Sequence, residues 1–150
     1  MNAVTQLGAE RCWELLRSVP VGRLAVIVGD RPEIFPVNHV VDRGTIIFRT
    51  ADGTKISAAL QNPLVVFEVD GYDEVSGQAW SVVVKGRAEQ IRQLHELLDT
   101  VHLPLTPWQA DPKPRFVRIA PDEVTGRRFQ VTDPADWQTL LSHVRQAPFD

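Results

Sequence analysis

The strongest constraint in this sequence is one tight turn. Asp42-Arg43-Gly44-Thr45 joins two β-rich runs, Glu33–Val41 and Ile46–Thr50, with too few residues for anything but an antiparallel hairpin. A parallel pair needs a crossover of a dozen or more residues, so a doubly wound βαβ sheet is argued against. The chain repeats this theme. Arg23–Val28 is a short strand closed by Gly29-Asp30-Arg31-Pro32. Leu64–Asp70, Ala79–Ile91 and Arg115–Ala120 read as further strands, and Gly126–Val131 as a seventh; Gly71–Gly77 reads as a polar loop. Pro36 cannot donate a ladder bond, which predicts an edge or bulge. Gly86 predicts a bulge or bend in its long strand.

Helical patterns frame these strands. Leu7, Cys12, Trp13, Leu15, Leu16 and Val19 share a face until Pro20 ends it. Thr54 is placed to cap a short helix over Lys55–Gln61. Arg92–Thr100 carries Leu94, Leu97 and Leu98, and Thr132-Asp133-Pro134 opens a final helix. Val101–Pro114, with Trp108, is irregular. The expected fold is mostly β with flanking helices: six or seven antiparallel strands forming a barrel.

At 150 residues the chain is read as a single domain, 1–150. Its 16 Lys and Arg against 19 Asp and Glu leave a net charge of −3, which argues against nucleic-acid binding through bulk charge. A single cysteine, Cys12, forbids an internal disulfide and any zinc site with more than one thiolate. Its place on a helical face marks it as a buried, inert thiol. His39, His95, His102 and His143 show no metal-ligand spacing, so no metal is expected. No apolar run is long enough to span a membrane, and the first residues lack signal-peptide character, so a cytoplasmic protein is expected.

Three segments carry candidate chemistry. Around Phe48-Arg49-Thr50-Ala51-Asp52-Gly53-Thr54-Lys55, two cations and two hydroxyls gather at a helix start. A helix N-terminus offers free N–H groups and partial positive charge, so Arg49 and Lys55 there suit a phosphate. Asp52 allows the alternative of plain solvated charge. In Pro36-Val37-Asn38-His39, Asn38 can read a heterocycle edge and His39 can serve as a proton donor or ring contact; a solvent-facing edge strand is the alternative. On the fifth strand Ser81 and Lys85 share one face, and Trp80, Val82 and Val84 the other. Trp80 is either core or site.

These residues, in order, carry a resemblance: Val19-Pro20-Val21-Gly22-Arg23-Leu24-Ala25; Pro36-Val37-Asn38; Phe48-Arg49-Thr50 with Gly53-Thr54-Lys55; Asn62-Pro63 with Val65–Asp70; and Trp80-Ser81-Val82 with Gly86-Arg87-Ala88. The chain resembles the pyridoxamine 5′-phosphate oxidase-like superfamily of FMN-binding split barrels, and within it the small flavin-binding branch that includes nitroimidazole-resistance proteins. The resemblance spans about residues 8 to 128. It implies a split β-barrel homodimer with two flavin sites at the subunit interface. By analogy, Arg49, Thr50, Thr54 and Lys55 would hold the cofactor phosphate. Pro36, Val37, Asn38 and His39 would run beside the isoalloxazine ring, and Ser81 and Trp80 would approach it from the barrel wall. It implies FMN as cofactor, with the deazaflavin F420 as the alternative, and hydride or electron transfer to a small molecule, or flavin binding without turnover. The closing helix Pro134–Arg145 replaces the Arg/His substrate segment of pyridoxamine 5′-phosphate oxidase proper, so that reaction is not expected.

Overall fold

In a computed structural model, residues 4–51, 61–92, 114–131 and 141–144 are described. Seven strands and one ten-residue helix follow in the order β1 (Thr5–Leu7), α1 (Ala9–Ser18), β2 (Val21–Val28), β3 (Arg31–Asp42), β4 (Thr45–Ala51), β5 (Leu64–Asp73), β6 (Gln78–Gln90) and β7 (Pro114–Gln130). Residues 141–144 are helical. The helices expected over Lys55–Gln61 and Arg92–Thr100, the irregular Val101–Pro114 with Trp108, and most of the final helix lie outside the described residues.

Among the described residues every strand pairing is antiparallel, and the sheet order β1-β7-β4-β3-β2-β5-β6 closes on itself through β7–β6. Six strands therefore form the ring, with β1 as a short addition to β7. The β3–β4 turn is the expected hairpin: Arg43 (φ 50°) and Gly44 (φ 72°) both sit in the left-handed region, the signature of a two-residue type I′ turn. Arg118 on β7 ties this hairpin down, donating from one Nη1 to Asp42 at 3.2 Å and Thr45 at 2.6 Å.

Period-two alternation builds the interior. Leu24, Phe48, Phe67, Val82, Val84 and Ile119 are each fully buried and belong to one continuous cluster. Cys12, Leu15 and Leu16 from α1 join that cluster, so the helix closes the barrel with its apolar face.

Several element boundaries differ from the sequence reading: β2 starts at Val21, and β3 takes in Arg31 and Pro32, read as turn, because they pair with Val28 and Ile27. Leu7 belongs to strand β1, not to the helix, because backbone pairing with Gly126 captures it before Gly8. The polar loop shortens to residues 74–77, since Gly71, Tyr72 and Asp73 continue β5 opposite Trp80, Ala79 and Gln78. The sixth and seventh strands are one 17-residue strand. Pro121 does not break it. The proline sits opposite Gly86 at a register shift, past the end of the β4 ladder at Ile119, where no partner needs its missing N–H. The bulge expected at Gly86 is present at that shift.

Candidate functional site: the opening between β3 and β4

The ring has one weak seam. β3 pairs with β4 only over His39–Asp42, while its stretch Arg31–Asn38 pairs with β2. β4 beyond Phe48 pairs only with β7, through Arg49↔Phe116, Thr50↔Arg115 and Ala51↔Pro114. The ladder thus ends between Asn38 and Arg49, and the two strands part. Pro36 lies on this open side of β3, which is the edge that its missing donor predicted.

Alternation then sorts the predicted site residues by face. Pro36 and Asn38 point outward, and Val37 and His39 inward with 3% and 5% exposure. Across the seam, Thr50 is buried and faces in, and Arg49 faces out. The fold thus gathers Pro36, Val37, Asn38, His39, Arg49 and Thr50 around one opening. Thr54 and Lys55 lie outside the described residues.

Arg49 is the unusual member. Its guanidinium lies over the Phe116 ring, 5.7 Å from the centroid, and its Nε is buried without a hydrogen-bond partner. A buried donor of a charged group left unmet is costly, and native proteins seldom tolerate it. A phosphate oxygen is the acceptor that a guanidinium fork suits best, so the residues present fit an anionic cofactor group.

His39 is built differently. Its Nε2–H donates to the Leu16 carbonyl at 2.8 Å, its ring meets Phe67 edge-on at 4.8 Å, and its backbone N–H donates to Pro20 O at 3.0 Å. A carbonyl only accepts, so Nε2 carries the proton and Nδ1 is a bare acceptor, buried without a partner. Burial pushes the His39 pKa below its ordinary value, against the smaller opposing effect of the two backbone bonds. The side chain therefore locks the end of α1 to the rim of the opening as a neutral imidazole.

Trp80 and Ser81 lie on β6. Trp80 packs against the core and over Gly71, where a Cβ would approach its ring to 2.6 Å. Ser81 faces out into an open groove of ≈ 570 Å³ shared with Gln6, Leu7, Val83, Thr125 and Arg127. This groove is separate from the Arg49 seam: three strand spacings divide Ser81 from Asn38 around the outer wall.

Between them stands a cluster that sequence reasoning missed. Arg23 donates through Nε and Nη2 to Glu68 at 3.0 and 2.7 Å, and Nη2 lies 2.9 Å from Asp70. Burial, ahead of the opposing pull of Arg23, raises the Glu68 pKa. Arg23 and Glu68 are 45 residues apart, and only the β2–β5 register makes them partners.

A closed antiparallel ring with one parted seam, an anion-ready arginine on its lip and a helix plugging the interior defines a split barrel. The sequence profile of the pyridoxamine 5′-phosphate oxidase family matches residues 8–128, and the chain belongs to that family. Among solved structures, an FAD-binding protein from Mycobacterium smegmatis is 43% identical with a TM-score of 0.78, covering 85% of this chain and 100% of its own. An FAD-binding protein from Mesorhizobium loti is 26% identical with a TM-score of 0.74, covering 87% and 99%. An uncharacterized protein of Mycobacterium tuberculosis is 34% identical over 131 residues, 84% of this chain and 86% of that one.

Proposed function

We propose that this chain is a flavin-dependent oxidoreductase that holds its cofactor at the β3–β4 opening and works as a homodimer. The observation that carries this reading is Arg49: a buried guanidinium nitrogen with no acceptor, at the seam where β3 and β4 part. Family membership and the FAD-binding relatives support a flavin. Arg49, Thr50, Thr54 and Lys55 are assigned to the phosphate. Pro36 and Asn38 are assigned to the ring from the outer surface, with Val37 and His39 shaping the wall behind them. The flavin supplies hydride or electron transfer to a small molecule, and the protein binds and orients it. FMN is the form that the family resemblance implies, and FAD the one that the relatives' descriptions favour. A reduced Cys12 suits a cytoplasmic setting.

Mass spectrometry of the cofactor released from purified protein tests the reading. FMN or FAD supports it, and F420 would redirect it to a deazaflavin reductase. A colourless protein that binds neither flavin on titration would overturn it. Anaerobic reduction of the bound flavin by NAD(P)H separates an enzyme from a carrier.

A further inference from the structure

β3 changes partner at His39. Up to Asn38 it pairs with β2, through Val21↔Asn38, and from His39 onward it pairs with β4, through His39↔Phe48. The residue stands on the last rung before those two strands part. Its backbone N–H donates to Pro20 O at 3.0 Å, in the link between α1 and β2, and its Nε2–H donates to Leu16 O at 2.8 Å. Leu16 lies in the last turn of α1, where carbonyls have no partner within the helix. Ser18 Oγ donates to the neighbouring Leu15 carbonyl at 2.7 Å, and His39 answers that of Leu16. One side chain thus fastens the end of α1 to the strand that bounds the opening.

The fastening suits a neutral ring alone. Nδ1 is an acceptor with no partner, on a residue only 5% exposed, and a proton added there would become a donor that finds no acceptor. The elements around the ring offer it no counter-charge. α1 turns Cys12, Leu15 and Leu16 inward and leaves Arg11, Glu14 and Arg17 exposed. β4 contributes buried Phe48 and Thr50, β5 Phe67 and Val69, and β2 Leu24. Arg49, Arg23, Glu68 and Asp70 stand at alternate positions on those strands, on the outer side. Among the described residues Cys12 is the other buried titratable group. The partial negative charge of the helix end favours a cation, but burial outweighs it.

We propose that His39 is an acid-released latch between the end of α1 and the β3–β4 opening. A proton from solvent on Nδ1 drives the imidazolium out of the interior into water, and the hydrogen bond to Leu16 O is lost. No covalent bond changes. The latch is shut at neutral pH and opens as pH falls below the ordinary histidine range, because the closed form resists the proton and the open form takes it. α1 covers the interior with Cys12, Leu15 and Leu16, so opening uncovers the Cys12 thiol. It also frees β3 at the rung beside Asn38, which weakens the grip on a ligand held across the seam. The effect on the cofactor rests on the flavin reading above; the latch does not.

The test labels Cys12 in the full, flavin-free chain with 4,4′-dithiodipyridine, a disulfide reagent that reacts with thiols in acid as well as at neutral pH. Measured against the urea-unfolded chain at the same pH, the native rate should rise about tenfold from about pH 7.5 to about pH 5, with far-ultraviolet circular dichroism unchanged. His39→Gln can still donate an amide N–H to Leu16 O but does not titrate, so it should label slowly at both pH values. His39→Leu loses the bond and should label fast at both. A native rate that does not rise overturns the latch. So does a rise that persists in His39→Gln, which would hand the acid response to the Arg23–Glu68–Asp70 cluster. If His39→Gln does not fold, nuclear magnetic resonance titration of the native His39 ring decides: its midpoint should coincide with that of labelling, and separate midpoints overturn the latch. Over the same range flavin affinity should fall about tenfold further in the native protein than in His39→Gln. An equal fall in both overturns the link to the opening. A protein that labels as expected but binds no flavin at any pH leaves the latch standing and removes the cofactor reading.

Discussion

Two side chains at the β3–β4 opening hold buried nitrogens without partners, and they call for opposite chemistry. Arg49 Nε is a donor awaiting an acceptor. Arg49→Met keeps the stem over Phe116 and removes the charge. It should weaken flavin binding by about ten- to a hundredfold, the equivalent of about 1.5–3 kcal/mol for a charged hydrogen bond. Thermal melts of the cofactor-free protein should show no loss of stability, because an unmet donor leaves with it. Flavin titration measures the first effect, and Lys55→Ala should repeat it if the phosphate spans both cations. His39 Nδ1 is an acceptor that cannot become a donor without stranding a buried charge. Its folded pKa lies below the ordinary 6.5, so the unfolded chain takes up a proton that the native state refuses. Stability should be constant above about pH 7.5 and fall as pH drops below about 6.5 toward the folded value. Urea midpoints across that range should show the slope in the native protein and a flatter one in His39→Gln. His39 stood out in sequence as a polar residue in an apolar strand, and Arg49 as a cation near a helix start; the direction each faces did not, because strand parity depends on register.

At the scale of elements, β7 does most to hold the ring together. It pairs with β4, then with β1, on one side, and with β6 along the other. It bends at the bulge opposite Gly86, where a Cβ would press into the Ala120 carbonyl group. Gly86→Ala should therefore cost about 1–3 kcal/mol, read as a lower denaturant midpoint with an unchanged slope. Further along β7, Gly126 lets Cys12 pack close: a Cβ there would stand 2.6 Å from Sγ. Burial also raises the Cys12 pKa. A thiol reagent should label the native protein slowly and the unfolded protein at once. Glycine at 86 was legible as a bulge. The continuity of β7 was not, because Pro121 looks like a strand end until a bulge supplies the one place that tolerates it.

At the scale of the molecule, the barrel buries its interior and leaves Ile34, Ile27 and Leu64 exposed on its outer wall among charged residues. In the homodimer proposed above, folding and association are linked. The melting temperature should then rise with protein concentration. Differential scanning calorimetry over a hundredfold concentration range reads this directly, whether or not flavin is present.

Local chemistry along the chain determines much of this protein. The Arg43-Gly44 turn demands a hairpin, period-two apolar runs demand a half-buried sheet, and the motif order from Val19 to Ala88 points to the family, because each is a property of neighbours in the chain. Closure of the ring, the seam between Asn38 and Arg49, the Arg23–Glu68–Asp70 cluster and the reach of Leu16 to His39 belong to the tertiary structure alone. Each depends on how elements meet in three dimensions, which the local sequence does not specify. A shift of one residue in that pairing would turn every side chain to the other face.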